Sequence, residues 1–171
     1  FVIITNPEFE DLIKKVTTEA FPSLNLKFAT QNEPKGISHA LKQAEVHVDR
    51  DEKILFILGD NFFEKNPIID FDFSQYKKGS YIFTKSVNNP QEFGVAQMNS
   101  NGTVVSIDEK PIAPKSDLAV VGIYIFDETV FEKISTLSPS SRGEYEITDL
   151  CNIYVQENTC RNFVIDGWWI D

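Results

Sequence analysis

Two short segments carry the residue types that handle metal ions and phosphate. Leu58-Gly59-Asp60-Asn61 closes the apolar run Lys53 to Leu58, and Glu109-Lys110-Pro111 follows Asp108 at the end of a second strand-like run. A carboxylate where a buried strand ends, beside a glycine that lets a ligand approach, suits a hard cation such as Mg2+. Lysine is a compact charge that fits phosphate, and a glutamate beside it accepts hydrogen bonds from hydroxyls. Both segments also have plainer explanations. Gly-Asp-Asn is good turn chemistry, and Glu-Lys-Pro is an ordinary surface tripeptide. Elsewhere, Gln31 to Gly36, with Pro34 between, lies where a strand gives way to a helix. An amide there could read a base edge, or the segment could be a simple connector. Arg142 could clamp phosphate or pair with Glu144. Asp171, after Trp168-Trp169-Ile170, could supply a second metal carboxylate. His39 and His47 share no metal-ligand spacing with Cys151 or Cys160, and no Ser-His-Asp or Cys-His arrangement stands out.

The elements that must hold these residues follow from the apolar pattern. Phe1 to Thr5 reads as a buried strand ended by the Asn6-Pro7 turn. Pro7 can open a helix to about Ala20, with Phe9, Leu12, Ile13 and Val16 at helical spacing. Leu26 to Ala29 is a strand, Ile37 to about Val48 a helix with Ser38 near its start, and Lys53 to Leu58 a strand buried on both faces. Strands alternating with helices imply a parallel sheet. After Phe73 the pattern changes. Ser80 to Val87, Phe93 to Met98 and Thr103 to Asp108 read as strands, with a hairpin turn at Asn101-Gly102. Leu118 to Phe126 is a long buried strand, and Asp127 caps a helix to about Leu137. A last helix spans Ile147 to Glu157, opened by Thr148 or Glu146. Arg161 to Ile165 and Trp168 to Ile170 have strand character. The expected fold class is α/β: a Rossmann-like mixed, mainly parallel sheet with helices on both faces and an antiparallel addition in the second half.

Composition bounds the function. The chain has 171 residues, 42% apolar and 25% charged, which fits one soluble domain with a real core. A net charge of −10 argues against a nucleic-acid partner, which needs clustered Lys and Arg. No apolar run approaches the roughly 18 residues of a membrane span. Two cysteines are too few for a disulfide framework and indicate a reducing, cytoplasmic setting. The apolar run at Phe1 and the strand-like end at Asp171 look cut through structure, so residues 1–171 are expected to be one domain of a longer protein.

Taken in order, Gln31-x-x-Pro34-x-Gly36, Leu58-Gly59-Asp60-Asn61, Phe93-Gly94-Val95, Glu109-Lys110-Pro111, Val121-Gly122-Ile123-Tyr124, Arg142 through Asp149 and Trp169-Ile170-Asp171 resemble the sugar-phosphate nucleotidylyltransferases. Within them the series is most similar to glucose-1-phosphate thymidylyltransferases, and it spans nearly the whole chain. The resemblance implies a nucleotide-diphospho-sugar transferase-like fold and a Mg2+-dependent reaction. In it a sugar-1-phosphate oxygen attacks the α-phosphorus of a nucleoside triphosphate and pyrophosphate leaves. It implies that Gln31 reads the pyrimidine, with Pro34 and Gly36 shaping its pocket and Leu58 touching the nucleoside. Asp60 and Asp171 would hold Mg2+. Gly94, Glu109 and Val120 would seat the sugar; Lys110 and Arg142 would bind its phosphate beside Tyr124. Asp60, Lys110 and Asp171 thus form the expected catalytic set. Dimers or tetramers are the assemblies such relatives present. Two departures stand out, Phe93 where members often carry Tyr and Val121 where Thr is frequent. The family's Gly-Gly-x-Gly-Thr-Arg loop and following lysine, which grip the triphosphate, are not among these residues. The segment alone is therefore expected not to catalyse. The alternative reading is a non-catalytic nucleotide or sugar-phosphate binding module that lost that loop. The residues do not choose between dTTP and UTP, nor among hexose phosphates.

Overall fold

In a computed structural model, which describes residues 1–76 and 78–171, the backbone divides into two compact units. The first comprises Phe1–Glu52 and Phe131–Ile147, the second Lys53–Val130 and Thr148–Asp171.

In the first unit, β1 (Val2–Thr5) pairs in parallel with β2 (Lys27–Thr30), joined by α1 (Glu10–Ala20). The helix begins three residues later than Pro7 implies. Asn6 Oδ1 accepts a hydrogen bond from the Phe9 N–H at 3.0 Å, and that turn delays it. The helix expected from Ile37 to Val48 is α2 (Ile37–Lys42) followed by a 3-10 turn at Glu45–His47. Ser38 and Leu41 of α2 are buried, as are Ala44 just after it and Ala29 of β2.

The second unit is built on the nine-residue run Leu118–Phe126. Preceding it are β3 (Ile54–Ile57), β4 (Phe62–Phe63), β5 (Ser80–Ser86), β6 (Gly94–Met98) and β7 (Val104–Glu109); the run itself is β8. Along one edge β8 pairs with β5. On the other, β3 takes its second half (Ile57 opposite Ile123) and β6 meets it at Ala119. After α3 (Val130–Ile134) and α4 (Ile147–Gln156), β9 (Cys160–Val164) joins β5 in parallel and β10 (Trp169–Ile170) pairs with β4.

The mixed α/β fold is the expected one. Its parallel pairings are β1–β2 and β5–β9, and the other described pairings are antiparallel. The balance lies further toward antiparallel than the opening strand–helix order implies, because β8 reverses direction against three neighbours.

Both faces of β8 are packed. Val121, Ile123 and Ile125 join an aromatic cluster with Phe71, Tyr76 and Phe83. Tyr124 and Phe126 stack with each other, and Tyr154 of α4 stacks on Phe126. Each fully buried side chain of this size contributes about 1.5–3 kcal/mol. Asp127, also buried, accepts from the Gly79 and Thr129 N–H groups and from the Tyr154 hydroxyl, which fixes the start of the segment leading to α3. β3 differs from expectation: Leu55 and Ile57 are 39% and 49% exposed, so the strand alternates instead of being buried on both faces.

Candidate active site

The residues expected to read the base lie in the first unit. β2 ends at Thr30, and Gln31 continues its ladder by donating its N–H to Thr5 O at 2.8 Å. The Gln31 side-chain amide lies 3.1 Å from Gly36 O and 3.0 Å from His39 Nδ1. With the nitrogen engaged on that side, the carbonyl oxygen is left to accept from a ligand N–H. Gly36, at φ 96°, is required there: a Cβ would meet the Tyr145 backbone at 2.8 Å. Tyr145 N in turn donates to Lys35 O, and the Ser38 hydroxyl to Glu146 O. Residues 31–36 are thus bolted to residues 140–146.

Arg142 sits on that second segment. Its Nε and Nη2 reach the two Glu146 oxygens at 3.2 and 2.9 Å, a bidentate pair, while Glu144 lies at 3.8 Å. The sequence offered Glu144 as a partner if Arg142 did not clamp phosphate. Glu144 is within ion-pair range, but the buried carboxylate of Glu146 takes the two closer contacts.

The metal and sugar-phosphate candidates lie in the second unit. After β3, the Leu58 N–H donates to Gly122 O at 2.8 Å, which ends the strand beside the middle of β8. The two-residue pairing of β4 with β10 sets Phe62 opposite Ile170, so the residues flanking them, Asn61 and Asp171, are neighbours. Asn61 Nδ2 donates to Asp60 Oδ1 at 2.9 Å and to Asp171 Oδ1 at 2.8 Å, joining carboxylates 111 positions apart in the sequence. Trp169 Nε1 donates to Asn61 Oδ1 at 2.7 Å, and its ring packs on Phe93 with centroids 5.0 Å apart.

From Phe93 the site continues into the β6–β7 hairpin. Gly94 lies opposite Glu109 in the register, and the Thr148 hydroxyl donates to Glu109 Oε2. A Cβ on Gly94 would stand 3.4 Å from Thr148 Oγ1 and 3.5 Å from Glu109 Oε2, so the absent side chain leaves a space bounded by polar groups. Lys110 adopts φ 42°, unusual for a residue with a side chain and doubly so before proline. Its N–H donates to Phe93 O at 3.0 Å, and its side chain leaves the strand alternation into solvent. Val120 lies half-buried on β8 opposite Thr84. The Tyr124 hydroxyl is held well above its ordinary pKa, first by burial, then by its neighbours Cys151, Glu109 and Asp171. It therefore stays a protonated donor, within electrostatic reach of both acids.

Asp60, Leu58, Gly94, Glu109, Lys110, Val120, Tyr124 and Asp171 thus share one unit, while Gln31, Pro34, Gly36 and Arg142 share the other. Sequence reasoning did not single out Asn61 and Thr148 as functional. Both stood inside quoted motifs, which was the available signal, but their partners lie far along the chain.

No group of three or more His, Cys, Asp or Glu among the described residues could cage a metal. Two exposed carboxylates fit Mg2+ in another way, since that ion is commonly held by one or two carboxylates together with substrate phosphates.

The profile of the nucleotidyl transferase family matches residues 1–171, and the chain belongs to that family. It is 35% identical over 157 residues to a glucose-1-phosphate thymidylyltransferase of Mycolicibacterium smegmatis, covering 90% of this chain and 54% of the relative. It is 35% identical over 151 residues to the low-salt glycan biosynthesis nucleotidyltransferase Agl11 of Haloferax volcanii, covering 86% and 42%. Among solved structures it resembles a Bacillus anthracis protein assigned as a glucose-1-phosphate thymidylyltransferase and crystallised with sucrose. That likeness has a TM-score of 0.87 and 36% identity, over 99% of this chain and 69% of the other. A UDP-glucose pyrophosphorylase structure, at TM-score 0.76 and 21% identity over 98% of this chain and 68% of that one, shares the fold. The chain spans about half the length of the curated relatives it matches. No described helix is long and apolar enough to cross a membrane.

Proposed function

We propose that the protein carrying this chain transfers a nucleotidyl group from a nucleoside triphosphate, dTTP by preference, to glucose-1-phosphate, in a Mg2+-dependent reaction in the cytoplasm. The observation that carries the reading is the joining of Asp60 to Asp171 in the same unit as Gly94, Glu109 and Lys110. A phosphate oxygen of the sugar phosphate forms a bond to the α-phosphorus, the α–β anhydride bond breaks, and pyrophosphate carries away the electron pair. The protein's contribution is positioning and charge neutralisation. Asp60 and Asp171 would hold Mg2+, which when bound would neutralise charge on the phosphate oxygens.

Glu109, oriented by Thr148, accepts from sugar hydroxyls over the open face of Gly94. Lys110 carries its charge to the sugar's phosphate, the protonated Tyr124 hydroxyl lines that site, and Arg142 is the phosphate-binding candidate of the first unit. Val120 offers its backbone to the sugar. Gln31 presents its carbonyl oxygen to the N3–H of thymine or uracil, Pro34 and Gly36 shape the base pocket, and Leu58 borders the nucleoside. The free, buried Cys151 and Cys160 fit a reducing compartment.

The test is pyrophosphate release by the complete encoded protein from dTTP and glucose-1-phosphate, with and without Mg2+. Lys110→Ala is expected to raise the KM for glucose-1-phosphate and lower kcat/KM by about a hundredfold, the loss of one charged contact at about 3 kcal/mol. Unchanged kinetics would refute the role of Lys110. Nucleotide or sugar-phosphate binding without any turnover would favour the binding-module reading.

A further inference from the structure

We infer that Asn61 is a positioning residue for the divalent cation, its amide holding the Asp60 and Asp171 carboxylates as a preset pair; the inference rests on the metal role proposed above. The side chain is fully used. Its nitrogen has two hydrogens and two acceptors, Asp60 Oδ1 at 2.9 Å and Asp171 Oδ1 at 2.8 Å. Its oxygen has two lone pairs and two donors, the Gly122 N–H at 2.9 Å and Trp169 Nε1 at 2.7 Å. A flipped amide would set oxygen against two carboxylates and hydrogens against two N–H donors, so only one orientation satisfies all four partners.

The donors belong to the sheet frame. Gly122 is mid-strand in β8, and Trp169 opens β10. Positional order therefore passes from the strands, through one amide, to the two acids. Gly122 also sets a steric condition: a Cβ there would lie 2.8 Å from Asn61 Cγ, Nδ2 and Oδ1, so this approach is open to glycine alone.

Two carboxylates drawn to one group repel each other. A lysine between them would neutralise the pair and compete with a cation. The neutral amide takes one oxygen of each acid and leaves the other oxygen of each for a metal. The cation then meets ligands already ordered, which lowers the entropy cost of binding.

The test titrates Mn2+ alone into the complete encoded protein by calorimetry, for the wild type, Asn61→Ala and Asn61→Asp, with thermal melts in parallel. Asn61→Ala is expected to weaken Mn2+ binding about tenfold, the scale of losing a group that orients metal ligands. Asn61→Asp keeps the oxygen that faces Gly122 and Trp169, so the frame contact survives, but sets a third carboxylate against Asp60 and Asp171. Its Tm is expected to fall without metal and to recover in saturating Mg2+. Equal Mn2+ affinity in wild type and Asn61→Ala overturns the inference, as does a wild type that binds no Mn2+. Should Asn61→Ala not fold, a Tm loss in Asn61→Asp that Mg2+ leaves unrecovered overturns it too. A wild type that binds Mn2+ yet releases no pyrophosphate sinks the transferase reading instead, and leaves the affinity comparison standing.

Discussion

Gly94 lies opposite Glu109 in the hairpin, and Lys110 follows with its N–H on the Phe93 carbonyl. At Gly94 a methyl group would make ordinary contact with Thr148 and Glu109, at 3.4 and 3.5 Å, and would need no positive φ. Gly94→Ala is therefore expected to melt within about 1 °C of wild type, consistent with a change inside roughly 0.5 kcal/mol, while its KM for glucose-1-phosphate rises at least tenfold. A Tm loss that tracks the kinetic loss would mean the glycine serves packing. Lys110, at φ 42°, stores strain that glycine would relieve. Lys110→Gly is expected to be about 1 kcal/mol more stable than Lys110→Ala, with equally poor sugar-phosphate use. Equal stability of the two variants in urea would show that the strain is not there. Lys110 stood out in the sequence by its type and its place before Pro111. Its left-handed backbone did not, because the residue before a proline is biased the other way.

At the scale of elements, the long apolar run of β8 and the Asn101-Gly102 turn were legible, because each depends on neighbours in the sequence; the helix expected from Asp127 to about Leu137 is only Val130–Ile134, with Asp127 in the turn before it. Gly102 takes φ 74°, and Asn99 Oδ1 accepts from the N–H groups of Asn101 and Thr103, as a tight hairpin requires. The partners of β4 and β10 were not legible. Two residues carry no periodicity, and their pairing spans more than a hundred positions; yet that ribbon brings Asp171 to Asn61. The exposed face of β3 was missed because an unbroken apolar run does not reveal what covers it.

The packing of β9 on β5 has a pH signature. Burial pushes the Cys160 thiol up to about 11, against a smaller opposite pull from the Ser80 hydroxyl, and holds Cys151 well above its usual value. An unfolded chain releases such a proton near pH 9, so between about pH 9 and about pH 11 the folded state binds more protons. The stabilisation is fully present below that window and is lost as pH rises through it. Urea midpoints are expected to fall from pH 8 to pH 11, and to fall less steeply in Cys160→Val, whose side chain has no proton to lose. Parallel slopes in the two proteins would contradict the assignment.

For the whole molecule, the candidate residues divide by unit in a way the sequence order conceals: Arg142 travels with Gln31, although it follows Lys110 by 32 positions. Sequence alone could not show this, since the chain enters each unit more than once. The division can be read in solution. In amide NMR spectra of the complete protein, glucose-1-phosphate alone is expected to shift signals of Gly94 and Glu109 in the second unit, and dTTP alone those of Gln31 and Gly36 in the first. A reversed pattern would reassign the two substrates. The net charge of −10 on this chain makes each local cation matter more for any anionic ligand, which must approach against that average field.

The chain has only two tryptophans, adjacent in sequence, and one of them donates its indole N–H to Asn61 while its ring rests on Phe93. Indole emission shifts in colour and intensity with the polarity and hydrogen bonding around the ring. The protein therefore carries a built-in optical reporter in contact with both the acid pair and the start of the β6–β7 hairpin, and a ligand proposed for either is expected to change its emission without an attached dye.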